Sequence, residues 1–168
     1  MDYEQAAAYW TSRQDPARAM EREALGARID AFIAAHNTCA LACADMEGFV
    51  RCTPLEYNYL NGAFWIFSEG GLKFKALGAN ENVCLAIYDP YDGFGSLGGL
   101  QVAGVARVVE PWSEDYLMLL AHKHIPAEGL RKLPSPLHLV KITPTAFDLL
   151  DSSLKAEGLD ARQHLDLA

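Results

Sequence analysis

Several groups of residues in this chain have types and spacings that could do chemistry. Gly93-Phe-Gly95-Ser-Leu-Gly98 spells the G-x-G-x-x-G of a dinucleotide loop. Such a loop works where a helix opens at its last glycines and turns its N-terminus toward a pyrophosphate. Here LQVAGVARVV follows, which reads as a strand, so the stretch is a flexible loop between strands. His122 and His124 are two apart and do not share a helix face. His36, His138 and His164 are isolated, with no carboxylate at metal-ligand spacing, and no metal site is expected. Cys39 and Cys43, four apart in a strand, share a face and read as small buried hydrophobes with no base beside them.

A fourth group suits an anion. In the strand 49–60, Arg51, Thr53, Leu55 and Tyr57 point one way because side chains alternate. One hairpin later Ser68 ends the partner strand, and Glu69-Gly-Gly71-Leu-Lys73 opens a helix. A hydroxyl, two glycines and a lysine at a strand-to-helix junction offer backbone N–H groups and charge to an anion. Arg51 can reach the same place from the adjacent strand with a bidentate fork suited to phosphate. The plain alternative is a glycine-rich loop with solvated cations.

The elements that must position these groups read as follows. Asp15-Pro16 looks like a capped helix start, and Leu25, Ile29, Phe32, Ile33 and His36 recur at helical spacing, so a helix is expected over about 15–36. Thr38–Ala44 is a short apolar strand, and Asp45–Gly48 a turn. Phe49–Leu60 is long enough for a bent strand, and Asn61-Gly62 is a strong hairpin signal before the strand Ala63–Ser68. Leu72–Asn80 reads as a short helix, Val83–Tyr88 and Leu100–Glu110 as strands, with Gly104 at a bulge or bend. Ser113–His122 is a capped helix. Leu137–Asp151 holds one long or two short strands with Pro144 at a break, followed by a polar tail, 152–168. Some six strands, mostly in hairpins, close most simply as a small antiparallel barrel with helices outside.

Composition bounds the function. A chain of 168 residues, 51% hydrophobic and 21% charged, predicts one globular domain over its whole length. No apolar run reaches the ~18 residues of a membrane span. The acidic start Met1-Asp-Tyr-Glu-Gln lacks the pattern of a signal peptide. A net charge of −8 suits neither nucleic acid nor an anionic membrane as partner. Cys39, Cys43, Cys52 and Cys84 form no C-x-x-C pair and read as reduced thiols of a cytoplasmic protein.

The run of elements resembles the pyridoxamine 5'-phosphate oxidase-like family of FMN-binding split barrels. The residues that carry the resemblance are Asp45–Gly48, Arg51–Pro54, Phe67-Ser68, Lys73–Leu77 and Asn80–Val83, with LQVAGVARVVEP and ITPTAFDLLDSS as the later strands. It covers about residues 25–155, and its specificity lies in the order and spacing of motifs that are each weak alone. The resemblance implies an α+β fold, a six-stranded antiparallel split β-barrel with peripheral helices. It implies a homodimer with FMN at the interface. Arg51 and Lys73 would meet the phosphate, with Phe67, Ser68 and Leu72 beside it. Thr53, Pro54, Leu55 and Glu56 would pass near the ring or ribityl chain, and Gln101 near the ring edge.

The chain departs from the true oxidase in places. Leu72 stands where an arginine precedes the lysine, and Leu150 where a tryptophan approaches FMN. Asp160-Ala-Arg162-Gln offers no clear counterpart of the pair that holds pyridoxal phosphate. The expected function is therefore an FMN-dependent oxidoreductase of unnamed substrate, with no catalytic acid or base identifiable. The alternatives are a non-catalytic flavin- or haem-binding protein, the haem version requiring an axial histidine, and a barrel that has lost its cofactor.

Overall fold

A computed structural model of the chain describes residues 1–9 and 11–167. Its elements are α1 (Tyr3–Ala7), two 3-10 turns (Thr11–Arg13 and Pro16–Arg18), α2 (Arg22–Ala35), β1 (Thr38–Ala44), β2 (Val50–Glu56), β3 (Asn58–Leu60), β4 (Ala63–Ser68), α3 (Lys73–Leu77), β5 (Asn82–Tyr88), β6 (Gly98–Val109), α4 (Glu114–His122), α5 (Ala127–Leu130), β7 (His138–Asp151), a third 3-10 turn (Ser152–Glu157) and β8 (Arg162–Asp166). Every strand pairing is antiparallel, in the order β2-β1-β5-β6-β7-β4-β3. β2 and β3 are one run of chain bent at Tyr57: the first half pairs with β1 and the second with β4. That continuity joins the two ends of the strand order and curls the sheet into the expected split barrel.

β7 is the long spine. Its opposite edge carries β6 throughout, while its free edge is shared, with β4 on residues 138–142 and β8 on residues 146–150. Pro144 lies within the single strand and not at a break. It faces Gly104, where the β6–β7 register shifts at a bulge, so its missing N–H falls where the ladder is already irregular. The Asn61-Gly62 turn has φ of 53° and 72°, the mirror-image geometry that fits strand twist.

Two apolar clusters sit on the two sides of the sheet. The barrel interior holds Leu41, Phe64, Ile66, Leu85, Leu100, Val102 and Ile142, together with Leu25, Ile29 and Ile33 of α2. The Tyr57 hydroxyl donates to Ile33 O at 2.8 Å and ties α2 to the bend, a bond worth about 1 kcal/mol. The second cluster packs Trp65 and Leu139 beneath Tyr116, Leu119 and Leu120 of α4. Ser113 caps α4, its Oγ accepting the Tyr116 N–H at 3.4 Å.

Three expectations are corrected. The first helix does not run from 15 to 36. Asp15 caps only a 3-10 turn, and the chain straightens at Ala19 before α2 begins at Arg22. The helix yields there because Arg18 O accepts from Asp160 N and Met20 N donates to Gln163 Oε1, bonds to the far end of the chain. The helix expected over 72–80 shrinks to the five residues of α3. The tail is not merely polar: residues 162–166 form β8, whose Gln163 and Leu165 are buried against β7. No helix among the described residues is long and apolar enough to cross a membrane.

Candidate functional site

The junction between β4 and α3 is built from side chains that fold back on their own loop. Gly70 and Gly71 take φ of 143° and 108°, a path glycine follows without strain. Ser68, buried on the inner side of β4, donates its hydroxyl to Gly70 O at 3.1 Å, and Gly70 N donates back to Ser68 Oγ at 3.2 Å. Lys73 is 5% exposed, and its ammonium donates to the same Gly70 carbonyl. The ammonium also lies 5.1 Å from the Phe74 ring centre. Among the described residues Lys73 has no carboxylate partner. Burial holds its pKa below the ordinary 10.5, offset by the neighbouring Cys43 thiol. A buried, unneutralised ammonium is costly unless an anion answers it.

Cys43 marks the place where the second cation arrives. Its Cα is paired with that of Arg51 across β1 and β2, and its Sγ reaches Lys73 O at 3.8 Å. Burial pushes the Cys43 thiol up, while Lys73 and Arg51 pull it back down, so both positive groups act on one sulfur. Arg51 is exposed and enters no ion pair among the described residues. Two cations without a carboxylate partner among the described residues, a serine hydroxyl and a two-glycine loop therefore converge. α3 is a single turn with no side-chain cap, so its dipole adds little and the side chains carry the positive potential.

The other sequence-derived residues scatter around this centre. Leu72 is exposed beside Lys73. Thr53 and Leu55 continue the inner side of β2 from Arg51, while Pro54 and Glu56 face outward. Glu56 is bound to Lys123 at 2.7 Å, beyond α4. The Phe67 ring packs edge-on against Tyr116 at 5.4 Å in the outer cluster, so only its backbone borders the loop. Gln101 lies far along the β6–β7 ladder, opposite Asp148, whereas Ser68 pairs with His138 at the start of β7. Within one chain, then, the structure brings Arg51, Ser68 and Lys73 together and leaves Gln101 remote.

Gln101 instead lines a cleft of about 500 Å³ with Thr11, Gln14, Tyr88, Asp148 and Arg162, roofed by the N-terminal segment. Sequence reasoning missed this cleft because its lining comes from three distant stretches of the chain, within 7–14, 86–101 and 148–163. It also missed His138, whose ring lies 4.8 Å from that of Phe74 beside the Lys73 loop. Among the described residues no group of three or more histidines, cysteines or carboxylates is arranged to hold a metal.

Comparison with known proteins agrees with this fold. The family model for pyridoxamine 5'-phosphate oxidase matches residues 25–151, more than half of the chain. No curated protein matches it. Among solved structures, the haem storage protein HutZ from Vibrio cholerae superposes with a TM-score of 0.59 at 20% identity, covering 74% of this chain and 91% of that one. An FAD-binding protein from Mesorhizobium loti gives 0.59 at 19%, covering 73% and 89%. A conserved hypothetical protein from Mycobacterium tuberculosis gives 0.65 at 20%, covering 93% and 97%. At these identities the likeness is one of fold.

Proposed function

We propose, from the premise that this chain belongs to the pyridoxamine 5'-phosphate oxidase family, that it is an FMN-binding flavoprotein and an oxidoreductase. The observation that carries the reading is Lys73: a buried lysine whose ammonium, among the described residues, has a glycine carbonyl and the Phe74 ring but no carboxylate, with Arg51 and Ser68 near it. A flavin phosphate matches that set, because a dianion answers both cations and accepts the serine hydroxyl and the loop N–H groups. When bound, the flavin supplies hydride or electron chemistry. The chain's part is positional: Lys73 and Arg51 neutralise the phosphate, Ser68 orients it, and Thr53 and Leu55 extend the same side of β2 away from it.

The reading includes a C2 homodimer. The outward side of the sheet presents Cys52, Ala42, Cys84, Ala103 and Ala146 in one row across five strands, small and uncharged. An obligate interface of this kind exceeds about 2,000 Å² in total. Four free thiols fit a reducing, cytoplasmic setting.

The visible spectrum of the purified protein, with light scattering on the same sample, tests the reading. Flavin absorption, or uptake of added FMN at micromolar concentration, in a dimer is the expected result. A colourless monomer that ignores FMN overturns it. Haem is the second reading, favoured by solved relatives described as haem storage and haem-binding proteins. His138 is the histidine nearest the Lys73 loop by its contact with Phe74, and a Soret band would select this reading.

A further inference from the structure

At the opposite end of β7 from the Lys73 loop, a second cleft, of about 480 Å³, opens between Gln14, the loop that joins β5 to β6, and the 3-10 turn after β7. Its volume lies in the usual range for small-molecule sites. Phe94, Leu97, Leu150 and Ala161 give it apolar walls.

Its polar lining consists of Gln14, Ser152, Lys155, Asp160 and Arg162. Ser152 and Lys155 both line it, and in a 3-10 turn residues three apart eclipse each other. Ser152 is 9% exposed. Its Oγ accepts the Leu97 N–H at 3.1 Å, and among the described residues its hydroxyl proton goes to no acceptor. Lys155 enters no ion pair among the described residues. Asp160, which itself lines the cleft, is paired with Arg18 at 3.3 Å, and Asp151 with Arg28 at 2.6 Å, so neither carboxylate neutralises Lys155. A buried hydroxyl with a donor to spend and an unpaired ammonium, side by side, want the two oxygens of a carboxylate.

The loop above supplies the apolar contact. It is pinned at one end by Asp89, bound to His36 Nε2 at 3.0 Å, and at the other by two bonds between Leu97 and Ser152. Between these anchors Tyr91 and Phe94 stand 70% and 83% exposed. An exposed phenyl at the rim of an apolar cleft loses water contact when a flat ligand lies beneath it. We propose that this cleft binds a monocarboxylic acid with a flat apolar body, the carboxylate on Ser152 and Lys155 and the body between Phe94, Leu97 and Leu150.

Two probes of one shape test this: naphthalene-2-carboxylate and its neutral carboxamide, titrated against the purified protein by calorimetry. The carboxylate should bind tighter by about tenfold or more, the worth of one charge-assisted hydrogen bond. Lys155→Gln should remove that preference and leave the carboxamide unchanged. Phe94→Ala should weaken both several-fold. Lys132→Gln, an exposed lysine away from the cleft, should change neither. Lys155 and Phe94 are both exposed, so unaltered thermal melts are expected and confirm that the variants fold. The proposal is overturned if neither probe binds, if the two bind alike, or if the preference survives Lys155→Gln.

Discussion

Replacing Lys73 by methionine keeps most of its volume and removes only the charge. In the wild type Lys73 is largely buried, so a phosphate beside its ammonium meets a charge that solvent screens only in part. One charge-assisted bond of this kind is worth about 1.5–3 kcal/mol. Lys73→Met should therefore raise the FMN dissociation constant by roughly 10- to 150-fold. Arg51 is exposed, and Arg51→Met should fall toward the lower end of that range. Riboflavin has no phosphate, so its affinity should be unchanged in both variants. The assay is a titration of each flavin followed by its fluorescence, with a thermal melt of each variant. Removing a buried ammonium relieves its desolvation, so Lys73→Met should melt no lower than the wild type. Because burial holds the Lys73 pKa below 10.5, FMN affinity should also begin to fall at a lower alkaline pH than an exposed lysine would impose. Binding of FMN by Lys73→Met at wild-type strength would falsify the phosphate role. Equal losses for FMN and riboflavin would refute it too, by showing that the residue supports the fold and not the anion.

Other outcomes follow from the packing. Gly104→Ala should lower stability by about 1–3 kcal/mol in a thermal or denaturant melt, because the new Cβ would stand 2.8 Å from the Thr143 carbonyl oxygen at the bulge. Burial pushes the Cys39 thiol up to about 12, so iodoacetamide at pH 9 should leave Cys39 unmodified in the native protein, as peptide mass mapping would reveal. Asp151 is opposed by burial, yet bonds from Ser153 and Arg28 outweigh it and hold its carboxyl below the ordinary 3.8. Its contribution is thus complete above the unfolded value and lost as pH falls through the lower folded one. The stability gap between the wild type and Asp151→Asn should be constant near neutrality and close only below about pH 4.

Where local chemistry decides the structure, the sequence was readable. β1 begins and ends where its apolar run does, Asn61-Gly62 turns as its φ preferences demand, and Ser113 caps α4. A bend in the run 49–60 was visible as an alternating stretch too long for one straight strand, but its place at Tyr57 was not. What escaped depends on partners far away in the chain. Asp15-Pro16 is a sound helix start, but bonds from Arg18 and Met20 to Asp160 and Gln163 stop it after one turn. β8 carries only two buried side chains, and one is a glutamine whose amide is satisfied by Arg18 O and Asp160 O. Read alone, such a residue signals surface. At the candidate site the residue types at 51, 68 and 73 were legible. That Lys73 is buried, and that Cys43 stands between two cations, followed only from the fold.

The divided edge of β7 has a consequence for how the molecule opens. β4 belongs to the ring that encloses the main core, but β8 is an add-on, paired with β7 alone. The N-terminal segment leans on it through Met20 with Gln163 and Arg18 with Asp160. Release of β8 therefore takes the first twenty residues with it and leaves the ring intact. The two chain ends should behave as a single cooperative unit in hydrogen exchange, of lower opening free energy than the barrel amides. Both clefts lose Gln14 from their roof in the same event. Access to either cavity is thereby set by the fraying of one small subglobal unit, at a rate that the ring strands do not control.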